Sequence, residues 1–259
     1  MISLVDVRLD HPRGGTPLVS EGNLKVARGE VAIVVGAAGV GTSRLVAAAL
    51  GEVIASAGRI EVLGHDVSKL RRSSLRLLRR KVGIVPQDLC LLEDRSAQVN
   101  VALPLEIDGI PRSISIVKAN EILAKLGLES EASLPVDCLS GSARQRVAVA
   151  RALVREPELV LADHPTMWQD AAGAELVCAA LAEAADHGAS VLAFGRDYPL
   201  RTIAERRGWR QLALIDGALR PLGEVLLDGK SIDELLLGME SVPANVVPFP
   251  LSARTAGVA

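Results

Sequence analysis

Aromatic residues are nearly missing from this chain. Phe, Tyr and Trp together make up 2% of its 259 residues, so the core must be assembled from Ala, Val, Leu and Ile. Apolar residues reach 49%, enough for one large domain or a domain with a subdomain. No apolar run approaches the ~18 residues needed to cross a bilayer as a helix. Neither sign of charge dominates. The net charge of −2 gives no electrostatic reason to expect nucleic acid or an anionic membrane surface. The opening MISLVDVRLD has no basic segment followed by an apolar one, so a soluble cytosolic protein is expected rather than a secreted one. Cysteine is scarce too. Cys90, Cys138 and Cys178 share no C-x-x-C spacing, and reduced, structural thiols are expected.

What is present alternates between two periods. Ile2 to Arg8, Leu24 to Ala27, Val31 to Val35, Gly58 to Leu63 and Val82 to Val85 read as strands, with turns at His11 to Thr16 and Gly64 to Asp66. Arg71 to Lys81 is strongly basic with leucines interleaved. Its plain reading is a solvated amphipathic helix, with a nucleic-acid or lipid site as the alternative. From about Ser96 to Arg155 helical periodicity takes over. Ile116 to Leu126 places Val117, Ile122 and Leu126 near one face, and Gly127 ends that helix. Strands resume at Glu158 to Ala162 and Ser190 to Phe194, with a helix over Gly173 to Ala185 between them. This alternation predicts a mainly parallel, helix-covered sheet with a helical insert. Gln211 to Ile215 and Ala218 to Leu222 read as a hairpin around Asp216-Gly217. A last helix is expected at Lys230 to Met239 and a mobile tail at Ser241 to Ala259.

One stretch carries recognisable chemistry. Gly36 to Arg44 reads GAAGVGTSR and follows a buried strand. Its spacing is that of a phosphate-binding loop, G-x-x-x-x-G-K-[ST], at every position but the lysine. Gly36 and Gly41 hold the glycine positions, with Gly39 between them. Ser43 holds the hydroxyl that would reach Mg²⁺, and Thr42 stands where the lysine belongs. Such a loop works through backbone N–H groups and the dipole of the following helix, so Ala37, Ala38, Val40 and Arg44 are candidates beside the glycines. Arg44 is a conceivable replacement cation, but two residues along a helix is a rotation of about 200°, which turns it away. On this stretch alone a glycine-rich turn of no function remains open.

Two further stretches narrow the choice. Leu139 to Leu153 reads LSGSARQRVAVARAL, and Glu158 to Thr166 reads ELVLADHPT. They resemble the signature (LSGGQ-x-QRVAIARAL) and Walker B (LLLADEPT) motifs of ABC-transporter ATP-binding subunits. Gln87, in a Q-loop, falls in the right order between them and the phosphate loop. The resemblance covers roughly Met1 to Leu222. It implies an α/β P-loop NTPase of ABC type, with a parallel core, an N-terminal antiparallel β-subdomain and a helical insert at 96–155, all within 1–240. Within the family, the stretch LRRSSLRLLRRKVGIVPQDLCLLEDRSAQVNVALPLEIDGI is most similar to the cell-division ATP-binding protein FtsE, then to lipoprotein-release subunits. The resemblance implies ATP and Mg²⁺ as cofactors and an integral-membrane, FtsX-like permease as partner. It also implies a homodimer or heterodimer with a second ATP-binding subunit, a place on the inner face of the cell membrane, and no nucleic acid.

Carried over residue by residue, the family's chemistry is unevenly kept. Asp163 matches the Mg²⁺-holding aspartate, Ser43 the direct ligand, and Gln87 the glutamine that senses the γ-phosphate near the metal. Ser140 and Gly141 match signature residues that cap the γ-phosphate across a dimer. Ser142 replaces the signature's second glycine, and Ala143 its glutamine. His164 stands where the family has its water-activating glutamate. Arg196 holds the switch-histidine position, and of the D-loop, Met167 to Asp170, only Asp170 is kept. The adenine-stacking aromatic corresponds to His11. A positioned general base contributes ~10²–10⁴-fold, about 3–5 kcal/mol of barrier. With the loop lysine also replaced, turnover at or near background is expected. An active ATPase, one assisted by an intact second subunit, and a soluble adaptor without a membrane partner remain as alternatives. Whether His164 and Arg196 are drift or a new functional pair is open in the sequence.

Overall fold

A computed structural model describes residues 1–37, 39 and 41–227. The helix expected at Lys230 to Met239 and the tail from Ser241 lie outside the described residues. The strands are β1 (Ile2–Leu9), β2 (Val19–Val26), β3 (Val31–Gly36), β4 (Ala57–Val62) and β5 (His65–Asp66), then β6 (Val82–Val85), β7 (Leu159–Asp163), β8 (Ser190–Phe194), β9 (Arg210–Ile215) and β10 (Ala218–Pro221). The helices are α1 (Thr42–Ala49), α2 (Arg72–Arg80), α3 (Ala97–Ile107), α4 (Arg112–Lys125), α5 (Gly141–Leu153), α6 (Ala171–Asp186), α7 (Tyr198–Arg206) and α8 (Leu222–Leu227).

All the described strands join one sheet in the order β5-β4-β1-β2-β10-β9-β3-β8-β7-β6. The β9-β3-β8-β7-β6 run is parallel. The β5-β4-β1-β2 arm is antiparallel. The arm is attached to β10 by a parallel contact, Ala218 against Glu21. β7 and β8 are buried at every position, as a parallel strand covered on both faces must be. Alternate residues of β3 serve opposite cores: Val31, Ile33 and Val35 pack with α3 to α6, while Ala32 and Val34 pack with α1, α2 and the antiparallel arm.

Three expectations are corrected. β2 begins at Val19, five positions before the expected Leu24. Its period-2 pattern is hidden because an inward position is Gly22, opposite Val7 at a register shift. On α4 the buried stripe is Ser115, Ala119 and Leu123. Val117 is exposed, because two positions along a helix turn it about 200° away from Ser115 and Ala119. Finally, α7 and the short α8 have no counterpart in the sequence reading. α7 starts at an N-cap, Asp197, followed by proline at its second position, a recognisable start signal.

Candidate functional site

β3 ends at Gly36, and the chain turns through Ala37 and Gly39 to Gly41, the residue before α1. Ala38 and Val40 lie outside the described residues. Gly39 has φ +82° and Gly41 +104°, the left-handed region that side chains avoid. At Gly41 space also forbids a side chain, since a Cβ would lie 2.7 Å from that of Leu18. Gly41 offers no side-chain cap, and no acid sits in the first turn of α1. The first N–H groups of the helix are thus left for an anion.

Ser43, on that first turn, donates its hydroxyl to Asp163 Oδ2 at 2.5 Å and lies 3.5 Å from Gln87 Oε1. Asp163 closes β7 and is 2% exposed. Three side-chain oxygens from three elements therefore meet beside the glycine loop. Such a set suits Mg²⁺, which takes hard oxygen ligands and is held by one or two carboxylates together with phosphates.

His164 follows Asp163 with φ +53° and is anchored on three sides. Its N–H donates to the Phe194 carbonyl at 2.7 Å. Its carbonyl accepts from Gln145 Nε2 at 3.2 Å. Its ring Nδ1 lies 2.9 Å from Asp163 Oδ1. Asp163 thus has one oxygen engaged by Ser43 and the other by His164. Arg196 is exposed, and no ion pair engages it among the described residues. Arg44 has no ion pair among the described residues. Asp10 is held below the usual carboxylate range, mainly by the Ser56 hydroxyl and Arg8, with Arg44 adding a smaller part. His11 sits in the turn after β1, where its ring nitrogen accepts the Arg13 N–H at 3.1 Å.

Ser140 caps α5, its hydroxyl accepting the Ala143 N–H at 3.1 Å with the Ser142 hydroxyl 3.3 Å away. Trp168 lies over Gly141, 3.9 Å from where a Cβ would be. No hydrogen bond joins Ser140, Gly141 or Ser142 to the phosphate loop among the described residues.

Two further residues join the site, and Gln169 of the D-loop gains a partner. Buried Gln145 connects α5 to the end of β7 through His164. Gln169 donates to the Ser142 carbonyl at 2.9 Å. Asp197 accepts from Thr166 at 2.9 Å and caps α7. Of Gln145 and Asp197, only the latter had a local signal, as an N-cap aspartate before Tyr198-Pro199.

A glycine loop leaving central strand β3, with its hydroxyl meeting a carboxylate at the end of β7, across the intervening β8, is the geometry of a P-loop nucleotide-binding domain. The ABC transporter family model matches residues 19–167. The chain belongs to the ABC transporter family, as an ATP-binding domain. It is 39% identical to the methionine import ATP-binding protein MetN of Caulobacter vibrioides, over 66% of this chain and 51% of that protein. It is 34% identical to MetN of Brucella abortus, over 80% of this chain and 56% of the relative. The chain thus spans about half the length of these relatives. Among solved structures it resembles the ATP-binding cassette MJ0796, determined as a dimer in a post-hydrolysis state with ADP and Pi. That match has 27% identity and a TM-score of 0.77, over 86% of this chain and 99% of that one. These curated relatives are import proteins, whereas the Q-loop stretch had pointed toward a cell-division subgroup.

Proposed function

We propose that the chain is the ATP-binding subunit of a methionine-type importer. It pairs with a second ATP-binding subunit and works with an integral-membrane permease at the inner membrane face, and it holds Mg-ATP while hydrolysing it slowly. The relatives favour import over the cell-division assembly and its FtsX-like permease. The observation that carries slow turnover is the His164 ring lying against Asp163 at 2.9 Å. The residue at the water-activating position is engaged by the metal-side carboxylate, and no lysine stands at Thr42.

When bound, the nucleotide brings a triphosphate whose charge Mg²⁺ partly neutralises. The chain's own groups then divide the work. The N–H groups around Gly39 and Gly41 and the start of α1 hold the phosphates. Ser43 and Asp163 present oxygens to the metal side, and Gln87 reaches the same point from the strand end of β6. His164 holds a proton between its Nδ1 and Asp163 and orients that carboxylate. Binding by backbone survives the loss of lysine better than transfer does, because transfer needs charge stabilisation that grows toward the transition state.

Calorimetric titration with Mg-ATP beside a turnover assay tests this reading. Binding with turnover near background is expected. Hydrolysis at transporter rates, abolished by Ser43→Ala, would overturn it, and absence of binding would leave a scaffold. Methionine uptake into proteoliposomes holding the chain and its permease tests the import assignment separately.

A further inference from the structure

The electrostatics of α2 run against its own helix at the N-terminal end, whereas the cations of its last turn suit the macrodipole. Its N-cap is Arg71, with no side-chain cap, no acid in the first turn, and Arg79 and Arg80 in the last. Cations at a helix N-terminus oppose the macrodipole, and like charges four residues apart repel. Arg72, Arg76 and Arg80 form such a row, one per turn, and all are exposed. Leu75 and Leu78 face inward, Leu75 against Gly51 and Leu78 in the core.

Part of this charge is answered within the molecule. Arg79 donates to the Leu50 carbonyl at 2.9 Å and lies 3.8 Å from Glu52. Arg80 lies 3.8 Å from Asp108, which Arg155 also engages. Among the described residues no ion pair involves Arg71, Arg72 or Arg76. Beside this row Leu77 is 63% exposed.

We propose that the outer face of α2, Arg72, Arg76 and Arg80 with Leu77 beside them, is a contact surface for the anionic headgroups of a lipid bilayer. Charge complementarity is the argument. An arginine row in which Arg72 and Arg76 have no ion pair among the described residues, beside exposed leucine, is the pattern of a helix lying on an anionic interface, its cations at the phosphates and its apolar residue in the headgroup boundary. The net charge of −2 hides this patch because acids elsewhere cancel it. The contact aligns the domain against the membrane independently of any protein partner, and it needs no nucleotide.

Flotation of the full chain with vesicles, without nucleotide, tests this. Co-flotation is expected with phosphatidylcholine vesicles containing phosphatidylglycerol and not with phosphatidylcholine alone, and it should weaken as salt rises. Each arginine near an anionic surface is worth roughly fivefold in partitioning. Arg72→Gln with Arg76→Gln should therefore lower it by roughly 25-fold, and Leu77→Ser several-fold, with unchanged thermal unfolding. Arg206→Gln with Arg220→Gln should leave it intact. No binding to either vesicle, equal binding to both, or equal loss in the control pair would overturn the proposal. So would tight binding of an acidic polypeptide to α2 in a chain that ignores vesicles, which would assign the face to a protein segment. None of these outcomes depends on how the nucleotide site behaves.

Discussion

Gly41 carries two constraints at once, a φ of +104° and a Leu18 Cβ that leaves no room for its own. Gly41→Ala should cost about 1–3 kcal/mol from the backbone conformation alone, more with the clash, read as a lower urea midpoint and lost nucleotide affinity. The neighbouring side chains bear on rate rather than fold. Thr42 carries no charge, and His164 presents an imidazole held by Asp163. Thr42→Lys with His164→Glu should raise turnover by at least the ~10²-fold that a positioned base supplies, with little change in the melting temperature. A double variant no faster than the unaltered chain would mean that hydrolysis is limited elsewhere, Arg196 being the next position to restore. The residues of this centre were legible because their spacing is local. Their contacts were not: nothing in ELVLADHPT says that the ring of His164 turns onto Asp163, or that Gln145 reaches it from another helix.

Among the elements, the Q-loop shows how a loop is held against its preferences. Leu89 and Cys90 both have positive φ, +59° and +46°, which side chains tolerate poorly. Arg151 of α5 donates to both of their carbonyls, at 2.5 Å each, and burial pulls its own pKa down. Arg151→Met should remove both bonds and leave carbonyls short of donors, costing about 2–4 kcal/mol by chemical denaturation. It should also loosen Gln87 relative to Ser43. The clamp was invisible beforehand because Arg151 lies some sixty positions away in sequence from the carbonyls it holds. The strands were legible where hydrophobic runs are unbroken, as in β3, β7 and β8. Gly22 concealed half of β2 by occupying an inward position without a side chain. On α4 the apolar pattern pointed to Val117, yet the buried stripe runs through Ser115 and Ala119, about 200° round the helix. Long side chains announce a face, and Ser115 and Ala119 have none.

At the scale of the molecule, one sheet joins a parallel half that carries the phosphate loop to an antiparallel half. The class of fold was readable from alternation and motif order. The continuity of the sheet, sealed by the single parallel contact of Ala218 with Glu21, was not, because it joins segments almost two hundred residues apart. The one buried cysteine among the described residues reports on this whole. Cys178 is buried within α6, and burial pushes its pKa up to about 12. Its thiol stays protonated in the fold, while the unfolded chain loses the proton from about 9 upward. Stability should therefore fall as pH rises between these values, and less so for Cys178→Ala, as measured by urea unfolding at alkaline pH. In native protein Cys178 should resist a thiol reagent that reaches the exposed Cys90 and Cys138.

The scarcity of aromatic residues also has an optical consequence. The chain has two tryptophans. Trp209 is partly buried, its ring 5.8 Å from the Arg207 guanidinium. Trp168 is 71% exposed and lies over Gly141 at the signature. Excited at the tryptophan edge, the two differ in wetness, so Trp209→Phe leaves a single emitter standing in water at the surface where a second subunit would close. A blue shift of that emission on adding Mg-ATP, growing with protein concentration, would time the closure with no label attached.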